Sequence, residues 1–90
     1  MKLYLIHAGY YDPEIMKGLY EQHVNYFVAA DNAKEAKTQI SENPTFKHKK
    51  MHIDGIQELN SVDGYQVTLV KETGDNKSVS YRYEEVKKLI

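Results

Sequence analysis

From Lys2 to Ala8 the chain is dense in apolar residues with only weak alternation, the pattern of an interior strand. Gly9-Tyr10-Tyr11-Asp12-Pro13 interrupts it, because Pro13 has no amide proton to donate to a ladder. The connection through Gly18 reads as an irregular loop holding one helical turn. A second strand is predicted from His23 to Ala30, with Val24, Tyr26 and Val28 on one face and Asn25 and Phe27 on the other. A helix follows over Ala33–Asn43. Asn32 is a good N-cap, and Glu35, three residues on, completes an Asn variant of the capping box. Ala33, Ala36 and Ile40 form a narrow apolar stripe at helical spacing, and Asn43-Pro44 ends the helix.

Lys47-His48-Lys49-Lys50 then leads into a third strand, Met51–Leu59. Met51 and Ile53 share a face, whereas Ile56 falls one position out of phase, so Gly55 between them predicts a bulge that restores the register. Asp63-Gly64 stands directly before the aromatic and β-branched run Tyr65–Val70. Both central residues of a type I′ turn need positive φ, which Asp-Gly supplies. The expectation is a hairpin pairing Ile53–Leu59 with a fourth strand from Tyr65 to about Lys71. Gly74-Asp75-Asn76 reads as another turn, after which Val79, Tyr81 and Tyr83 alternate with Ser78, Ser80 and Arg82 in the period of a half-exposed strand. Glu84 to Ile90 reads as a short C-terminal helix with Val86, Leu89 and Ile90 packing down. The order β-β-α-β-β-β predicts a two-layer α+β domain: one antiparallel sheet of four to five strands, with one main helix packed on it. Residues 1–90 form one domain, without internal repeat, low-complexity tract or linker.

Composition adds constraints. A chain of 90 residues buries a little over roughly 60% of its unfolded surface, so its core is marginal. Cysteine is absent, which excludes disulfides and thiolate metal sites and leaves the redox compartment open. Leu3-Tyr4-Leu5-Ile6 is too short for a signal-peptide core or a membrane span, and a cytoplasmic location is expected. A formal charge of -1 argues against nucleic acid and membrane surfaces as partners. Eight tyrosines against two phenylalanines and no tryptophan suit half-buried sheet faces, or a contact surface.

Four stretches in order carry a family resemblance: Leu3-Tyr4-Leu5-Ile6-His7-Ala8-Gly9-Tyr10, Glu21-Gln22-His23 before Tyr26-Phe27-Val28, Met51-His52-Ile53-Asp54, and Val62-Asp63-Gly64-Tyr65. Together they resemble the small bacterial proteins of domain of unknown function family 1543, over about the first three quarters of the chain. His52-Ile53-Asp54 and Val62-Asp63-Gly64-Tyr65 are the most specific motifs. Tyr10 stands where the resemblance implies a second glycine. The family has no assigned substrate, cofactor or catalytic residue, so the resemblance implies motifs without chemistry.

Candidate chemistry centres on histidine and carboxylate. His52 and Asp54 are two apart and so share a strand face, where the carboxylate could orient the imidazole for acid–base work. The plainer alternative is that Asp54 caps the backbone at the bulge before Gly55. His23 and His52 with Glu21, Asp54 or Asp63 would satisfy a zinc ion, although no metal or other cofactor is expected. His48 and His52 lie about 13 Å apart along a strand and cannot share an ion there. Lys47–Lys50 beside Phe46 is read as lysines blunting a sheet edge rather than as a nucleic-acid patch. Nucleophile and phosphate-loop motifs are absent.

The expected role is therefore a non-enzymatic module that binds another protein or itself as a homodimer, with Glu21, His23, His52, Asp54, Asp63 and Tyr65 as candidate binding residues. The first alternative is a small acid–base enzyme, with metal dependence left open, using His52 with Asp54 and His23. The second is a mobile-element inhibitor. At least one His–carboxylate pair among these residues should lie within hydrogen-bond reach.

Overall fold

In the computed structural model, which describes Met1–Ile90, the first strand is the centre of the sheet. Strand β1 (Lys2–Tyr11) lies between β2 (Glu21–Ala30) and β3 (His52–Leu59), antiparallel to both. Its even-numbered residues Tyr4, Ile6 and Ala8 turn to one face and are buried, as expected of a strand hydrogen-bonded on both edges. The strand continues past the expected break at Gly9, because Gly9, Tyr10 and Tyr11 still pair with His23, Gln22 and Glu21. A 3-10 turn over Met16–Gly18 occupies the connection to β2, where a helical turn was predicted.

Two helices cover the face that holds Ile6. Helix α1 (Ala33–Ser41) begins at Asn32, whose Oδ1 accepts from the Glu35 amide at 2.9 Å. The Glu35 carboxylate accepts from the amide of Asp31 (3.2 Å), one residue before the position a capping box uses. Ala36 and Ile40 of the predicted stripe are buried, whereas Ala33 is exposed. Asn43-Pro44 ends this helix and also starts a second that the sequence reading missed, α2 (Pro44–His48). Asn43 Oδ1 accepts from the Thr45 and Phe46 amides at 3.0 and 3.1 Å, and Pro44 needs no amide partner in the first turn. Lys47-His48-Lys49-Lys50 therefore closes a helix instead of opening a strand, and Lys50, at φ 51°, turns the chain into β3. The core is Tyr4, Ile6, Ala8, Ala30, Ala36, Ile40 and Phe46, flanked by Val24, Tyr26, Val28, Met51, Ile53 and Ile56.

The bulge in β3 is present. His7 pairs with Gly55 and Ala8 with Ile53, so Asp54 is the extra residue. The inserted residue brings Ile53 and Ile56 onto the same face, against the core, as the phase shift predicted.

The α+β class, the antiparallel sheet and the main helix stand, but the sheet has three strands rather than four to five. Asp63 (φ 51°) and Gly64 (φ 83°) form the expected tight turn, which pairs Ser61–Val62 (β4) with Tyr65–Gln66 (β5) as a separate two-stranded sheet. This corrects the expectation that Ile53–Leu59 pairs with Tyr65–Val70. A two-residue turn dictates only the pairs next to it. One further bond, from the Val67 amide to the Asn60 carbonyl (2.9 Å), ends the ladder before it reaches β3. Residues 67–82 belong to no strand, so the one predicted from Tyr65 to about Lys71 stops at Gln66 and the one predicted over Ser78–Tyr83 is absent. The C-terminal helix is a single turn, α3 (Tyr83–Val86); Val86, Leu89 and Ile90 are exposed and do not pack down as expected. No helix is long and apolar enough to cross a membrane.

Candidate functional site

The face of the sheet opposite the helices is uncovered. Along β1 it presents Leu3, Leu5, His7, Gly9 and Tyr11. Pairing places Leu5 beside Phe27 and Gln57, and Leu3 beside Ala29 and Leu59, so one end of this face is largely apolar. Phe27 is 68% exposed there. The other end is polar, and its construction follows from register. Gly9 is paired with His23 on one side and His52 on the other, while Tyr11 is paired with Glu21. The bulge at Asp54 directs its carboxylate to the same face as His52.

Four side chains meet above Gly9. His23 Nε2 lies 2.6 Å from Glu21 Oε1 and 3.3 Å from Asp54 Oδ2. His52 Nε2 lies 3.1 Å from Asp54 Oδ1 and 3.5 Å from Glu21 Oε1. Gly9 is buried although it faces solvent, because these side chains roof it. A methyl group at Gly9 would stand 2.5 Å from Glu21 Oε1 and 2.7 Å from both Asp54 Oδ2 and His52 Nε2. Its backbone is ordinary, so glycine is needed here for its size and not for its conformation.

Neighbours hold the cluster in place. The Tyr11 hydroxyl donates to Glu21 Oε2 at 3.2 Å, leaving Oε1 to the histidines. The His7 ring stacks on His23 with centroids 4.8 Å apart and planes inclined by 6°. His7 Nδ1 is 2.7 Å from Asn25 Oδ1, which sets the orientation of the stacked ring. Burial resists ionisation of Glu21, but hydrogen bonds with Asp54, Tyr11 and His23, and the His23 charge, outweigh it. They hold the Glu21 carboxyl below its ordinary range. The hydrogen bond to Glu21, followed by that carboxylate's charge, pushes the Tyr11 phenol above its usual value.

Of the candidate binding residues, Glu21, His23, His52 and Asp54 are thus brought together. Asp63 and Tyr65 are not: both sit on the β4–β5 hairpin, Asp63 within its turn and Tyr65 just after it, outside the cluster. His48 lies on α2 and takes no part. Gly9, His7 and Tyr11 were missed as site residues. The signal for Gly9 was a glycine inside a strand pattern, which marks a close approach of other groups. Lys47 pairs with Glu42 at 3.2 Å, and Lys49 lies 3.8 Å from Asp12 and 5.3 Å from the Tyr10 ring centroid, so these lysines have partners within the chain.

The site and fold define a small α+β domain with a helix-covered face and an open face that carries the histidine–carboxylate cluster. The profile of the family described as Domain of Unknown Function (DUF1543) matches residues 18–69, more than half of the chain, and the protein belongs to that family. No curated protein and no solved structure matches it significantly. The matched stretch contains Glu21, His23, His52 and Asp54, while Gly9 and Tyr11 on β1 lie outside it.

Proposed function

We propose that this protein is a cytoplasmic binding module whose partner is a second copy of itself, engaged through the open face and free edges of its sheet. The observation that carries this reading is the surface left uncovered. The chain exposes 7777 Å². A compact chain of 10.5 kDa exposes about 5,400 Å². Its radius of gyration is 16.0 Å, where about 12 Å is usual for this length. The excess exceeds the roughly 800 Å² that each partner gives up in a standard interface.

Much of the excess lies in residues 60–90, where Val62, Tyr65, Val70, Val79, Tyr81, Tyr83 and Leu89 are exposed. Two stretches of this arm carry strand-forming sequence yet have no ladder. The outer edges of β2 and β3 likewise have no partner strand. An unpaired strand segment and an unpaired edge complement one another, and in a two-fold dimer each copy supplies both.

Sedimentation of the full-length protein from micromolar to millimolar concentration tests the proposal. A dimer in the micromolar range is expected, with V79D/Y81D shifting the chain to monomer while leaving its thermal melt unchanged. A monomer throughout, with arm amides exchanging as freely as in a peptide, overturns it. A second reading, an acid–base enzyme using His52 with Asp54 and His23, draws on their convergence within hydrogen-bond reach. It requires turnover of an ester or amide substrate that H52A abolishes.

A further inference from the structure

Ligand atoms of Glu21, His52 and Asp54 lie within 4.8 Å of one another above Gly9, and His23 Nε2 stands beside them, 2.6 Å from Glu21 Oε1 and 3.3 Å from Asp54 Oδ2. Each Nε2 carries at most one proton, yet each faces an oxygen of both carboxylates, at separations between 2.6 and 3.5 Å. One hydrogen bond per imidazole leaves the remaining contacts unused. A single cation would engage all four groups. A tetrahedral ion with bonds of about 2.0–2.1 Å sets its ligand atoms about 3.3–3.4 Å apart; His52 Nε2 lies 3.1 Å from Asp54 Oδ1 and 3.5 Å from Glu21 Oε1, and His23 Nε2 lies 3.3 Å from the other Asp54 oxygen, Oδ2. Ligation would open the His23–Glu21 contact from its 2.6 Å, which needs only a small side-chain rotation.

We propose that Glu21, His23, His52 and Asp54 bind one divalent transition-metal ion of the zinc class, seated over Gly9. Two neutral imidazoles and two carboxylates supply a charge of minus two, which a divalent cation neutralises. Two nitrogen and two oxygen donors suit zinc and its neighbours. They do not suit calcium or magnesium, which take six or more oxygens.

The surroundings fit the same reading. Gly9 leaves a cradle that a methyl group would fill, with contacts of 2.5–2.7 Å to three of the four ligands. Tyr11 holds the outer oxygen of Glu21 and leaves the inner one for the ion, the usual office of a neighbour to a metal ligand. The stacked His7 ring fixes the plane of His23.

Four protein ligands close the coordination sphere, which marks a structural site. Here the ion would tie the outer strands β2 and β3 to each other across β1. Small domains with slender cores use such staples, and this chain has seven buried apolar residues and no cysteine. The proposal is independent of the association with a second copy.

The test is zinc chloride titrated into chelator-treated full-length protein, followed by calorimetry, native mass spectrometry and thermal melting. One ion per chain and a rise in melting temperature on loading are expected. Asp54→Asn keeps the shape of the side chain and should weaken binding at least tenfold. Tyr11→Phe, which removes no ligand, should weaken it about 10–100-fold. Gly9→Ala should lose binding although it alters no donor, with the circular dichroism of the metal-free variant confirming the fold. His48→Ala should bind as the parent does. Absence of saturable binding by the parent overturns the proposal, as does binding that survives both Gly9→Ala and Asp54→Asn.

Discussion

Ala36 is the most deeply buried residue of α1, and enlarging it tests the packing argument directly. Its side chain is fully buried, 0% exposed, and α1 packs on β2 beside Ile40 and the buried Ala30. Ala36→Leu puts an isobutyl group where a methyl now fits. Helix propensity barely changes, since Leu ranks next to Ala. If room existed, the added carbons would stabilise the fold by about 2–2.5 kcal/mol. The site has none, because Ala36 is fully enclosed in a core cluster that also holds the small Ala30, so the helix must lift or the leucine must leave its rotamer. Either response costs about 1–3 kcal/mol. For a domain of this size each kcal/mol moves the melting temperature by roughly 4–8 °C. The expected result is a drop of between about 4 and 24 °C, read by circular dichroism on the metal-free protein with a urea titration as a check. An unchanged or raised melting temperature would refute the claim that α1 sits at contact distance.

Gly64→Val forces a β-branched residue to φ 83°, a strain of about 1–3 kcal/mol. Because the β4–β5 hairpin is a sheet of its own, that strain should melt the hairpin and speed exchange of the Val67 amide, while the global melting temperature stays put; a global drop would show that the hairpin supports the core. Hydrogen bonds from Asn60, Tyr4 and Lys2 to Glu58 outweigh burial and hold its carboxyl below the ordinary value near 4.3. A lowered folded value means stability that is present above the unfolded pKa and lost as pH falls through the folded one. Melting temperature should therefore fall as the solution is acidified below about pH 5, less steeply in Glu58→Gln; equal slopes would remove Glu58 from the account.

Periodicity was enough to recover the local elements that bury a continuous apolar face. The alternation Val24, Tyr26, Val28 and the spacing of Ala36 and Ile40 each predict which side packs, because the periods of strand and helix are geometric properties of the backbone. A bulge between Ile53 and Ile56 was legible for the same reason, since Ile56 could reach the core only if one residue were inserted, although that residue is Asp54 and not the expected Gly55. Asn43-Pro44 was read as a stop and proved also to be a start, since one residue's side chain can cap a new helix while its neighbour ends the old one.

What tertiary structure alone decided was which elements meet. The pattern Tyr65–Val70 suits a strand, but a pleated segment needs an edge to pair with, and the hairpin register carries it past β3 without one. The site was half visible, as His52 with Asp54 and Glu21 with His23, each two apart on its own strand. That the two pairs form one cluster depends on β1 running between them, so that Gly9 lies in register with both histidines. Sequence spacing reports distance along one strand, whereas the separation across a sheet is set by strand order, which only the folded chain determines.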